Sequence, residues 1–136
     1  MLNPIDFSLC DVAITAAQPS VAYSPIIDLY GMQAATITAR FAYGTGGTSA
    51  KAYVQTSLDA GITWIDIACF AFTTASGIRV INLSGLTPVT TAYAPTDGAM
   101  ADDTVKDGIL GSSMRVKLLT TGTYANTVMS VKASAR

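Results

Sequence analysis

The sequence contains no histidine, and no glutamate occurs at any position. Without histidine, the Ser-His-Asp and Cys-His nucleophile pairs and the usual zinc ligand sets cannot be assembled. Without glutamate, acid–base schemes that depend on that carboxylate fall away as well. Charge is scarce too: only 12% of residues are Asp, Lys or Arg, against about 25% in an average domain. The formal net charge is −1, so there is no positive field to gather nucleic acid or an anionic membrane surface. Cysteine is limited to Cys10 and Cys69, too far apart in sequence for a CxxC or metal-spaced motif. A disulfide between them is one reading; two small apolar thiols in a β core is the other. The first fifteen residues lack the basic start and apolar run of a signal peptide. No window reaches the ~18 uninterrupted apolar residues of a membrane span.

What is present is β-branched and apolar. Hydrophobic residues make up 50% of the 136 residues, which excludes a disordered tail and supplies enough core for one domain without staples. Threonine is abundant, isoleucine and valine follow, alanine fills many remaining positions, and the helix formers glutamate, glutamine and lysine are scarce or absent, so strands are favoured along most of the chain. Period-two alternation marks the clearest of them. Ala35, Ile37, Ala39 and Phe41 face one way while Thr36, Thr38 and Arg40 face the other. Met114, Val116 and Leu118 alternate with Ser113, Arg115 and Lys117; Met129, Val131 and Ala133 alternate with Ser130 and Lys132.

Further strands are expected at residues 11–17, 26–32, 50–57, 63–72, 77–83 and 89–93, between Pro, Gly and Asp turn signals. A hairpin is expected through Asp59-Ala60-Gly61, a tight turn at Gly122, and a short helical turn near residues 102–107. The whole reads as a single domain over residues 1–136: an all-β, antiparallel β-sandwich of jelly-roll type with about eight strands and a short N-terminal arm at residues 1–10. The expected core is Ile14, Ile37, Phe41, Val54, Ile65, Ile67, Val80, Val116, Leu118, Met129 and Val131.

Residues 63–72 break the simple pattern. Ile65, Ile67, Cys69 and Ala71 form one face and Trp64, Asp66, Ala68, Phe70 and Phe72 the other, so both are apolar apart from Asp66. A strand of that kind needs cover on both sides. The long connection 94–111 could roof it, or another protein chain could. The arm, with Leu2, Ile5 and Phe7 beside Pro4, likewise has two readings: an extended segment that docks on a partner, or one that closes its own sandwich. The candidate interface residues are therefore Leu2, Ile5, Phe7, Trp64, Phe70 and Phe72.

No catalytic or cofactor motif stands out. Asp97, Asp102, Asp103 and Asp107 lack the spacing of a calcium loop. GTGGT at residues 44–48 lacks the Lys-Ser/Thr ending of a phosphate loop and leads into a strand. Tyr53, Trp64, Phe70 and Tyr124 would form a sugar-stacking platform if they shared an exposed face, with Asp66 and Gln55 as polar partners.

The segment YVQTSLDAGITWIDIACFAF at residues 53–72 and the ending MRVKLLTTGTYANTVMSVKASAR at residues 114–136 resemble small β-domain virion proteins of tailed bacteriophages, in which a "QTSxDxGxTWxDIxxF" hairpin recurs. They are most similar to the jelly-roll cement, or decoration, proteins of short-tailed, Bordetella-type phage capsids. The resemblance implies a non-enzymatic protein without cofactor, made in the host cytoplasm and located on the capsid exterior. Its partner would be the phage major capsid protein, with dimers or trimers of its own and no nucleic acid or membrane contact. A head-fibre or tail-associated β-domain and a glycan-binding β-sandwich module are the alternatives.

Overall fold

The computed structural model describes residues 5–136. Among them are ten strands: β1 (Ile5–Ile14), β2 (Val21–Ala22), β3 (Ala34–Ala42), β4 (Thr45–Gly46), β5 (Ser49–Ser57), β6 (Ile65–Phe72), β7 (Gly77–Ser84), β8 (Ser113–Thr121), β9 (Tyr124–Ala125) and β10 (Thr127–Ala135). One four-stranded sheet runs β1-β10-β3-β7 and the other β2-β8-β5-β6, with β4 and β9 pairing separately. All pairings are antiparallel.

The wiring is that of a jelly roll. β1 pairs with β10, β2 with β8, β3 with β7 and β5 with β6, so the second half of the chain retraces the first as the folded hairpin wraps around the core. One end of the sandwich carries the connections 15–20, 43–48, 73–76 and 122–126. The other carries 23–33, 58–64 and the two ends of 85–112. Among the described residues, no helix is long and apolar enough to cross a membrane.

Alternation decides which side chains meet between the sheets. Ile37, Ala39 and Phe41 of β3 and Met129 and Val131 of β10 face Ala50, Ala52 and Val54 of β5 and Met114, Val116 and Leu118 of β8, all of them buried. Small alanines between larger residues let the layers interlock at native density. Phe41 stacks on Phe72 with ring centroids 5.0 Å apart and meets Tyr124 edge-on at 5.7 Å.

Several expectations need correction. Val80 is 61% exposed: β7 pairs Ile81 with Ile37 and Leu83 with Ala35, which turns Val80, opposite Thr38, to the outer face. Ile65 is only half-buried at the start of β6. Residues 26–32 form no strand beyond an isolated bridge from Ile26 to Met114, because Asp28 and Gly31 take positive φ angles of 71° and 86°. Residues 89–93 are irregular, and residues 102–107 turn without forming a helix. The strand expected to start at Asp11 starts instead at Ile5. Ile5 pairs with Ala135 and Phe7 with Ala133, so the described part of the arm is the edge strand of its own sheet. A bulge between Ser8 and Cys10 buries both Leu9 and Cys10.

Candidate functional site

β6 is an edge strand, and its outer edge and outer face are covered by the connection that follows β7. Asp66 N–H donates to Thr96 O at 2.9 Å, Cys69 N–H to Thr104 O at 3.0 Å, and Lys106 N–H to Ile67 O at 2.8 Å. Asp103 accepts from Ala71 N–H at 3.1 Å. These bonds consume the backbone groups that would otherwise accept a strand from a neighbour. The roof is thus the chain's own 94–111 segment.

A bulge in the β5–β6 pairing, between Val54 and Gln55, explains why the two-faced pattern misled. Ala68 pairs with Val54 but Asp66 with Gln55, leaving Ile67 as the extra residue, which is buried in the core. Asp66 therefore shares the outer face with Cys69, not the inner face with Phe70.

Under the roof Asp66 is fully buried and anchors a polar network. Gln55 Nε2 donates to it at 2.9 Å, Thr96 Oγ1 at 2.7 Å, Gly98 N–H at 2.9 Å and Ala99 N–H at 3.0 Å. Asp97 continues the network, accepting from Gln55 Nε2 at 2.6 Å and Lys117 Nζ at 2.8 Å. The Lys117 hydrogen bond, followed by that of Gln55, holds the Asp97 carboxyl below its ordinary range. Arg115 donates from Nε to Gln55 Oε1 at 2.8 Å and lies 4.5 Å from the centroid of the Trp64 ring. Among the described residues, no buried side-chain nitrogen or oxygen lacks a partner. The network fastens the roof to the sheet.

The four acidic residues of the roof do not converge. Asp97 binds Lys117, Asp102 pairs with Lys51 at 2.7 Å, Asp103 with Arg79 at 3.5 Å, and Asp107 accepts from Ser84 N–H at 2.7 Å and Thr87 Oγ1 at 2.9 Å. Cys10 and Cys69 are free and buried, and burial pushes each thiol up to about 11, which removes them as nucleophiles near neutral pH. At the GTGGT turn, Gly47 and Thr48 N–H groups donate to Thr123 O and Thr121 O, each at 2.8 Å, so the amides that would cradle a phosphate are already used.

The interface residues expected from sequence are dispersed. Phe70 and Phe72 are buried between the sheets, because the pleat turns them inward with Ala68, and they offer nothing to a partner. Trp64 is half-buried beneath Arg115. Ile5 is half-exposed at the sheet edge, Phe7 packs partly against the core, and Leu2 lies outside the described residues. The stacking platform does not form either: Tyr53, Phe70 and Tyr124 are buried, and Tyr124 donates its hydroxyl to Thr73 O at 2.7 Å.

Sequence reasoning missed two surfaces. The outer face of the β1 sheet holds an open trough of about 470 Å³ lined by Asp6, Ser8, Thr36, Thr38, Lys132 and Ser134, with Phe7 at its side. The end of the sandwich formed by 23–33, 58–64 and 85–89 exposes Ile27, Tyr30, Leu58, Ile62, Leu86 and Val89. The signal for the second was available as apolar residues inside turn segments. No family model matches the chain, and no curated protein or solved structure matches it.

Proposed function

We propose that this chain is a non-enzymatic virion structural protein that binds the outer surface of a phage capsid and reinforces the shell. One observation carries the reading beyond the sequence resemblance. The polar chemistry under the roof is spent on tying the molecule to itself, while its exposed loops are apolar at one end. That combination suits a rigid block that attaches by surface contact. Repetition on a symmetric shell lets modest single contacts sum to firm attachment.

The test uses shells of the phage that encodes the chain, purified without it. Added protein is expected to co-sediment at a fixed ratio to the major capsid protein and to raise the temperature at which shells open. Absence of saturable binding overturns the proposal. The rival reading, a glycan-binding module, is favoured by the hydroxyl-lined trough. A glycan array decides it: specific sugar binding lost in Lys132→Ala or Asp6→Ala would put the protein in that class instead.

A further inference from the structure

The connection 85–112 is fastened differently from the sheets it covers. Not one of its residues is buried, and only Ile109 and Leu110, near its end, pack against the hydrophobic core. Apolar burial therefore does not hold residues 94–107 down; carboxylates do. Of the nine acidic residues in the chain, five line this seam: Asp66 beneath the roof, and Asp97, Asp102, Asp103 and Asp107 within it. Basic side chains meet them from three strands. Lys51 of β5 reaches Asp102 at 2.7 Å, Arg79 of β7 reaches Asp103 at 3.5 Å, and Lys117 and Arg115 of β8 reach Asp97 at 2.8 and 3.8 Å. Lys106, the one basic residue of the connection, lies over the Tyr93 ring at 5.2 Å. Tyr53 and Cys69 belong to the outer face, yet they are 3% and 1% exposed, because the roof lies over them. Cys10, by contrast, is part of the core between the sheets.

We propose that residues 94–107 form an acid-released strap: protonation of the seam carboxylates lifts it as a unit from a sandwich that stays folded, and bares Cys69, Tyr53 and the outer edge of β6. A segment without buried apolar contacts opens at a lower free energy than the core it covers. Protonation leaves Lys51, Arg79, Arg115 and Lys117 uncompensated beneath Lys106, so attraction across the seam gives way to repulsion. Asp97 and Asp107 fix the sign. Hydrogen bonds from Lys117 and from Ser84 N–H hold these carboxyls below their ordinary range, so their contribution is present above that range and is lost as pH falls through the folded values. The other titratable groups at the seam, Tyr53, Cys69 and Tyr93, are pushed up by burial and stay neutral in acid. Asp66 is the one buried carboxylate among the described residues, and it belongs to the seam, so acid has no comparable hold on the sandwich. Lifting the strap frees the N–H groups of Asp66, Cys69 and Ala71 and the carbonyl of Ile67. The device thus conceals a strand-accepting edge at neutral pH and presents it in acid.

Thiol labelling of the isolated chain tests this without any capsid, so it succeeds or fails independently of the function proposed above. A dipyridyl disulfide reagent, which labels thiols in acid, is applied at a series of pH values, and each rate is divided by that of the urea-unfolded chain at the same pH. Between about pH 6 and about pH 3.5 the relative rate at Cys69 is expected to rise at least about tenfold, while Cys10 stays protected and the strand signal in circular dichroism is unchanged. A Cys69 that remains protected at the acid end overturns the proposal. So does a parallel rise at Cys10 with loss of the strand signal, since the whole domain is then unfolding. Asp97→Asn/Asp102→Asn imitates the protonated seam without acid, and should speed Cys69 labelling severalfold at neutral pH with Cys10 unchanged. Asp6→Asn/Asp11→Asn, on the opposite sheet, should match the wild type. A seam variant without effect, one that exposes Cys10 together with Cys69, or a control variant that changes Cys69 equally would each contradict the assignment of the release to these carboxylates.

Discussion

Replacing Asp66 by alanine should detach the roof from the sheet. The wild-type carboxylate receives hydrogen bonds from four donors: Gln55 Nε2, Thr96 Oγ1, Gly98 N–H and Ala99 N–H. A hydrogen bond to a charged acceptor contributes about 1.5–3 kcal/mol net. Thr96, Gly98 and Ala99 sit on an outer loop that can turn to water, so the full sum is not lost. Gln55 is fully buried, keeps Asp97 as an acceptor at 2.6 Å, and is only partly orphaned. A loss of about 3–4 kcal/mol follows, within the range for breaking a buried charged network. Urea unfolding gives the stability change, and hydrogen exchange shows where it falls. Amides of Cys69 and Lys106, which bridge strand and roof, should lose protection, while those of β3 and β10 fall only by the global amount. Trp64 is the only tryptophan and borders Pro95 and Thr96, so its emission should shift to the red as the roof lifts. A loss below about 1 kcal/mol with Trp64 emission and Lys106 exchange unchanged would refute the view that Asp66 fastens the roof.

Acid should act through Asp97, whose folded-state carboxyl sits below its unfolded value because of Lys117 and Gln55. The unfolded chain then binds more protons as pH falls, so this contribution is complete above about pH 5 and is lost as pH drops through and below the ordinary carboxylate range near 4. Asp97→Asn should reduce, without abolishing, the fall of the urea midpoint across that window, because the Asp59 and Asp107 carboxyls are also held below their ordinary range by hydrogen bonds. Gly47→Ala should cost about 2 kcal/mol or more, read by thermal melting, since Gly47 has φ +70° and an added Cβ would enter the Tyr124 ring. Cys10 and Cys69 should resist a thiol reagent in the folded protein and react together only in denaturant, because both are buried with thiols near 11; fast reaction of either one in native buffer would contradict the packing described.

The sequence by itself determined the fold class and its best strands. In β3, β8 and β10 one face meets the core and the other meets water, so a period of two in polarity records the packing directly, and Ile37, Phe41, Val116, Leu118, Met129 and Val131 lie where that period puts them. It failed where burial came from partners distant in the chain. Residues 5–10 of β1 read as a loose arm because what makes them strand is β10, more than a hundred residues later. Val80 and Ile81 are equally apolar, and only the pairing of β7 with β3 decides which one faces in. In β6 a one-residue bulge shifted Asp66 to the outer face and Ile67 to the core, which no local pattern encodes. The roof, the buried carboxylate network and the gathering of Ile27, Ile62 and Leu86 at one end are likewise products of the topology: each depends on loops far apart in sequence being delivered to the same place by the wrapping of the jelly roll.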